Sequence, residues 1–356
     1  MKNTPQKRAP KAYQDADGVL HTACALPLKK EADLALAYYP GVTGVLSKIE
    51  AKAANQLKYD RLHKTVALIS TLPTTVYPVL AAKAAVLSEV AALNAFPVLL
   101  NPDQPTTHAE TVARLQRGFS AVLTVGMSRK EVEILRSTWS CDLPLLVDYE
   151  LEAAAVAAAV MNAAKMSKSS LKKIRVVLDG EDDLTLSVAE QLVASGVIEL
   201  TLIDERGPLF LKRPNMNRQK NDLAEVTKKK KDERSLEEVY SATDVYIHCR
   251  AEDLSEKTCE QLPAKATVIT LKAEEVKCGK QQSLISTLPQ KPNHLSDLHL
   301  ASGILMALGE GKSLGKTTLD QAIKALHAVY KSPKKDRLFP GLLDKNLAEK
   351  IAKGIK

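Results

Sequence analysis

The chain predicts an α/β protein of two domains with a helical C-terminus, on three observations. At 356 residues it is long enough for two domains of ordinary size, each with its own core. With 45% hydrophobic but only 4% aromatic residues, those cores must be built mainly from Ala, Val, Leu and Ile, which favours buried parallel strands covered by helices. Short apolar runs then alternate with helical periodicity along most of the length.

Residues 1 to 18 are polar and basic and predict a flexible tail. TVALIS at 65 to 70 predicts a strand, the Ala-rich run from 79 to 95 a long helix, and PVLL at 97 to 100, SAVLTV at 120 to 125 and the run 143 to 147 further strands. An Ala-rich helix over 150 to 164 closes this first domain, 19 to 165. The loop MSKSSLKK leads into the second domain, 166 to 295. Its elements are a strand ending at Leu178, a helix, ELTLID at 199 to 204, a polar loop of some thirty residues, and strands in VYSATDVYIHC and ATVITLK. From 296 to 356 the pattern is helical, with breaks at Pro333 and Pro340, and these helices are expected to pack back on the first domain.

Residues 175 to 196, RVVLDGEDDLTLSVAEQLVASG, have the strand, turn and helix of the opening of a Rossmann unit. The turn is wrong for phosphate. Gly180 keeps its place, but Asp182 and Thr185 stand where the second and third glycines belong, with Glu181 and Asp183 beside them. A carboxylate about 5 Å from a phosphate charge costs about 3 kcal/mol at an effective dielectric of about 20, so the turn as written repels a pyrophosphate. Asp204, at the end of the next strand, stands where a Rossmann acid binds ribose. The acidic cluster lacks calcium-loop spacing and predicts a solvated turn. GEGKSLGKT at 309 to 317 misses phosphate-loop spacing by one residue and follows a helix, so it is set aside.

No run has the length of a membrane span, which predicts a soluble protein without membrane insertion. Cys24, Cys141, Cys249, Cys259 and Cys278 are odd in number and unpaired in spacing, which predicts neither a disulfide framework nor a zinc site and fits a reducing compartment, mitochondrial matrix or cytoplasm. The net charge of +8 is concentrated at Lys2, Lys7, Arg8 and Lys11, at 228 to 231, and at 331 to 337. Such runs suit solvated tails or a polyanionic partner, RNA or an acidic protein surface.

The order of motifs carries more than any one of them. DLALAYYPGV at 33 to 42, YPVLAAKAAVLSEVAALNAFPVLLN at 77 to 101, LPLLVDYELEAAAVAAAVMNAAK at 143 to 165, the altered fingerprint, LIDERG at 202 to 207 and SLEEVYSATDVYIHCRAEDL at 235 to 254 together resemble the malic enzyme family, over roughly residues 28 to 310. The resemblance implies an N-terminal catalytic-type domain and a Rossmann-like NAD-binding-type domain. It implies that Tyr38 matches the general acid, Lys83 the general base, and Asp148 the first of two adjacent aspartates that serve the lysine and the metal; Tyr149 replaces the second. Glu133 is the nearest counterpart of a further metal ligand. An active member would use NAD(P) and Mg²⁺ or Mn²⁺.

Elsewhere the pattern departs. The glycine-rich carboxylate segment shrinks to TLPTTVY, and HCRAE puts His248 where the family has glycine and Glu252 where it has proline. LKAEEV at 271 to 276 lacks the family's asparagine, and PNHLSD keeps Pro292 and Asn293 but places Ser296 and Asp297 where two asparagines belong. A phenol in place of a ligating carboxylate removes charge and chelation from a hard-cation site. The expectation is therefore a degenerate family member with no bound cofactor, a scaffold or interaction subunit of a larger assembly, homo- or hetero-oligomeric. The alternatives are a divergent active malic enzyme, a cofactor-free oxaloacetate decarboxylase or tautomerase using Tyr38 and Lys83, and an RNA-associated basic protein.

Overall fold

A computed structural model describes residues 5–23, 25–26, 28–227, 229–272, 278, 282–287 and 293–356. Lys2, Cys24, Lys228, Pro292 and most of LKAEEV lie outside the described residues. The chain divides into two compact units, 1–145 and 146–356.

The first unit opens with helices α1 (Pro5–Asp15), α2 (Glu31–Ala37), α3 (Gly41–Ala51) and α4 (Gln56–Tyr59). The expected flexible tail is thus helical over α1, whose sequence PQKRAPKAYQD gave no apolar period to read. Strand β1 (Thr65–Ser70) is buried through residues 66 to 70 and pairs in parallel on both edges, with β2 (Asn94–Leu99) and β3 (Ala121–Thr124). Between β1 and β2 runs α5 (Tyr77–Ala91), with Pro78 in its first turn. Its buried face is Leu80, Ala84, Leu87 and Ala91, an i, i+4, i+7 stripe. The helix stops at Ala92, which adopts a left-handed conformation (φ 51°). The helix expected to run to residue 95 therefore ends sooner, and Asn94 and Ala95 belong to β2. Then come α6 (His108–Leu115) and α7 (Arg129–Ser137), the latter opened by a capping box in which Ser128 and Glu131 satisfy each other's backbone amides. Strand β4 (Leu145–Val147) follows β3 in the sheet order β2-β1-β3-β4, and the division between units falls within it.

The second unit begins with α8 (Asp148–Met166), buried on most of its faces through Ala and Val. Ala lets neighbouring helices approach closely, and α9 (Asp183–Ala194), which follows β5 (Val176–Asp179), packs on it. The sheet continues with β6 (Leu200–Asp204) and the two-residue β7 (Gly207–Pro208). The polar stretch expected as loop contains α10 (Arg218–Thr227), whose only buried residues, Leu223 and Ala224, are too few to give a periodic signal. In VYSATDVYIHC the first residues close α11 (Leu236–Ser241), capped by Ser235, and only β8 (Val245–His248) is strand. Next come α12 (Glu256–Gln261), β9 (Thr267–Thr270) and β10 (Ser283–Ser286). The sheet order is β10-β9-β8-β5-β6-β7, parallel throughout except for the β6–β7 hairpin.

Cys259 of α12 and Cys278 are joined as a disulfide across a separation of 19 residues, contrary to the expectation from spacing. The chain between them leaves and returns through β9, which spacing does not disclose. Last come α13 (Leu298–Gly309), α14 (Thr318–Ala328) and α15 (Leu347–Gly354). Helices α13 and α14 pack on α8, within the second unit. Among the described residues no helix is long and apolar enough to cross a membrane.

Candidate functional site

In an open parallel sheet, ligands bind beyond the carboxyl ends of the strands where the strand order reverses. Here that point lies between β5 and β8, at the paired residues Asp179 and His248. Asp179 is buried. Its carboxylate accepts from Tyr246 Oη at 2.6 Å and from Arg250 Nε at 2.6 Å, with His248 Nδ1 at 3.6 Å. Burial alone would raise its pKa, but these donors more than offset that and hold it below the ordinary carboxylate value. The other ring nitrogen, His248 Nε2, donates to the Glu252 carbonyl at 2.7 Å.

The turn after β5 is closed by its own side chains. A Cβ added to Gly180 would meet Thr185 Oγ1 at 2.5 Å and Cys249 Cβ at 2.9 Å, so the space beside the one retained glycine is filled. Asp182 is the N-cap of α9 and accepts from Thr185 N at 2.9 Å and Thr185 Oγ1 at 2.6 Å. Lys272 Nζ forms an ion pair with the same carboxylate. Burial raises the Asp182 pKa, while Lys272 and Thr185 lower it to a net value below the ordinary one. A helix N-terminus is where a dinucleotide's pyrophosphate is normally held. At α9 an internal carboxylate holds that place, and an ammonium group pairs with it.

The end of β6 is equally committed. Asp204 has no side-chain exposure, and Oδ2 pairs with Arg213 and, at 3.0 Å, with Lys220, while Oδ1 accepts from Arg206 N at 2.9 Å. Arg213 also donates to the Gly207 and Pro208 carbonyls at 3.1 and 2.9 Å. Burial opposes ionisation of Asp204, but Arg213 and Lys220 lower its pKa overall. Lys220 reaches Glu181 at 3.0 Å and Glu205 at 3.8 Å, so one ammonium ties the turn after β5 to the end of β6.

The mouth of the sheet thus sets Asp179, Glu181, Asp182, Asp204 and Glu205 against Arg250, Lys220, Lys272, Arg213 and Arg206. This corrects the solvated, repelling acidic turn expected from sequence. The local charge is balanced, and the obstacle to a dinucleotide is occupancy: the helix N-terminus, the ribose acid and the space over Gly180 are each already taken.

Of the other expected site residues, Tyr38 is 70% exposed just past the end of α2. Lys83 is half-buried on α5, off the buried stripe. Glu133 is exposed on α7 and pairs with Arg129 at 3.3 Å. The acid of this helix that reaches another element is Glu131, which accepts from Thr71 Oγ1 at 2.7 Å. Asp148 opens α8 and accepts from the Tyr149 N–H at 3.0 Å. Gly180 and Asp204 are the two expected residues that the structure brings into one constellation, linked through Glu181 and Lys220. Among the described residues no three His, Cys, Asp or Glu side chains group so as to hold a metal ion.

Sequence reasoning missed Arg213, Lys220, Arg250 and Lys272. The only local signal was the excess of acid around 179 to 183, which requires counter-charge once buried. Asn293, noted as a retained family residue, proves to be a buried anchor: Oδ1 accepts from Leu338 N at 2.6 Å and Phe339 N at 3.0 Å. In the discarded glycine segment, Lys312 Nζ donates to the Ala352 and Ile355 carbonyls at 2.8 and 2.6 Å, closing the end of α15.

No family model matches the chain. It is 24% identical over 95% of its length to the bifunctional malic/malolactic enzyme of Bacillus subtilis, covering 89% of that protein. It is 27% identical over 65% of its length to the NADP-dependent malic enzyme of Halomonas elongata, spanning 57% of it, and 26% identical over 65% to the NAD-dependent malic enzyme of Geobacillus stearothermophilus, spanning 51%. Among solved structures, the NAD-dependent malic enzyme of Thermotoga maritima superposes with a TM-score of 0.80 at 21% identity over 98% of both chains. The malic enzyme of Entamoeba histolytica gives 0.81 at 17% identity over 98% of this chain and 80% of that one. Motif order, sequence relatives and fold agree in likening the chain, at low identity, to malic enzymes.

Proposed function

We propose that this chain is a non-catalytic family member that does not take a dinucleotide and serves as a binding and assembly subunit, within a homo- or hetero-oligomer. One observation carries the proposal: the Asp182 carboxylate caps α9 where a pyrophosphate would be held, paired with Lys272. Seating NAD⁺ there means breaking the cap and the ion pair and freeing Asp204 from Arg213 and Lys220, losses that the ligand's own contacts would have to exceed. A fold outlasts its site because packing and chemistry are carried by different residues. The test is thermal unfolding of the whole chain with NAD⁺ or NADP⁺, alone and with Mn²⁺ and malate. A ligand at 100 times its dissociation constant stabilises by about 2.7 kcal/mol. Unchanged melting at millimolar ligand is expected; a rise with either dinucleotide refutes the proposal.

A second reading is supported by the match to a malic/malolactic enzyme over 95% of the chain. In it the protein is a divergent malic enzyme, or a cofactor-free decarboxylase or tautomerase of the same keto acids. Tyr38 would then act as acid, Lys83 as base, and Asp148 with Glu133 would serve a Mg²⁺ or Mn²⁺ ion. It requires turnover of malate or oxaloacetate that Lys83→Ala abolishes.

A further inference from the structure

The C-terminal part of the second unit carries a surface that none of the above uses. Between residues 312 and 356 there are eleven Lys and Arg against four Asp and Glu, a net +7 of the chain's +8. Part of this charge converges on a recess of about 470 Å³ lined by Val329, Tyr330, Ser332, Asp344 and the cations Lys331, Lys334, Arg337, Lys345 and Lys350.

The recess is built, and its cations are left over. Lys334 and Arg337 are held side by side by reciprocal backbone hydrogen bonds of 3.3 and 2.9 Å. That turn is fixed to the core by Asn293, which donates to the Lys335 carbonyl at 3.2 Å and accepts from Leu338 and Phe339, and by buried Asn162, which donates to the Leu338 carbonyl at 2.9 Å. The single lining carboxylate, Asp344, accepts from Tyr330 Oη at 3.0 Å, and Arg337 lies over the Tyr330 ring, 5.0 Å from its centre. Lys331, Lys334, Lys345 and Lys350 form no ion pair with any described residue. The mouth of the sheet matches each acid with a base; here five cations gather around one carboxylate, a surplus of like charge that repels itself unless an anion joins it.

We propose that this recess binds the phosphodiester backbone of a single-stranded polynucleotide, without reading its sequence. The cations are chiefly lysines, which are depleted from protein–protein interfaces but are ordinary backbone contacts in nucleic-acid complexes. A concave site suits a strand rather than a duplex groove, which is entered by a protruding element. Tyr330 is the one aromatic in the lining, and with Arg337 on its ring it offers no platform for base stacking. This inference does not depend on whether the second unit takes a dinucleotide.

The experiment is fluorescence anisotropy of a labelled oligouridylate of about 20 nucleotides with the whole chain, between about 50 and 200 mM salt. Four or five phosphate contacts to a single strand give a log–log salt slope of about −3. Lys331→Gln, Lys334→Gln and Lys345→Gln together should remove about 2 from that slope and weaken binding about 100-fold at 0.1 M salt, while the same three changes to Arg retain it. All three lysines are exposed, so melting should be unchanged. Lys48→Gln, Lys52→Gln and Lys58→Gln, in the first unit, should leave the slope intact. The proposal is overturned if the recess variant binds like the parent, or if the two triple variants lose equally. It is also overturned if an oligoglutamate competes as well as the RNA, or if only inorganic phosphate or ATP binds.

Discussion

Asp204→Asn separates a residue kept for a ligand from one kept for the fold. An acid reserved for a ribose hydroxyl faces its site and can be neutralised with little cost to the empty protein. Asp204 instead has no side-chain exposure, and its carboxylate joins Arg213, itself 9% exposed, to Lys220. Removing one member of a buried ion pair costs about 3 to 5 kcal/mol, because the partner is left buried and uncompensated. Lys220 keeps Glu181, which softens its share, whereas Arg213 keeps only backbone carbonyls. The lower half of that range, about 3 kcal/mol, is therefore expected. Urea unfolding at neutral pH, with the midpoint lowered and the slope unchanged, is the assay. A loss below about 1 kcal/mol would refute the closed network and return Asp204 to the role of a ligand-binding acid.

Gly180→Ala should destabilise by about 1 to 3 kcal/mol, because the added methyl meets Thr185 and Cys249 at contact distances no core accepts; a neutral result in the same unfolding assay would sink the packing account of this glycine. Asp182→Ala should cost about 1 kcal/mol from the lost cap, with the half-exposed Lys272 pair adding less than that, read by thermal melting. His299 is fully buried between the Ser296 and Pro340 carbonyls, and burial lowers its pKa to about 4. Its ordinary value is 6.5, so between about 6.5 and 4 the unfolded chain binds the proton more readily and stability is lost as the pH drops, by about 3 kcal/mol in all. His299→Gln should flatten that stretch of the stability–pH curve. Asp179, Asp182 and Asp204, with lowered pKa values, keep their contribution above the ordinary carboxylate value of 3.8 and lose it below, so their share of acid unfolding lies at still lower pH.

Much of the frame was legible in one dimension. Alternating runs of Val, Ile and Leu placed β1, β3, β5 and β6, since a strand covered on both faces must be apolar throughout. The altered glycine pattern placed the candidate site at the turn after β5, because backbone approach to phosphate has strict residue requirements. What escaped were helices with too little apolar surface to show a period, α1 and α10, and the pairing of Cys259 with Cys278.

The sequence by itself determined that Asp182 and Thr185 replace glycines in the phosphate turn and that charge gathers at the C-terminal end. Only the tertiary structure decided what those charges do. Parallel strands bring their carboxyl ends to one edge, so Asp179 meets Arg250 across 71 residues and Asp182 meets Lys272 across 90, neutralising the turn. Lys331, Lys334, Lys345 and Lys350 share their recess with one carboxylate, Asp344, and form no ion pair among the described residues. Local sequence fixes which groups are charged, but whether a charge is satisfied depends on neighbours that only the folded chain delivers.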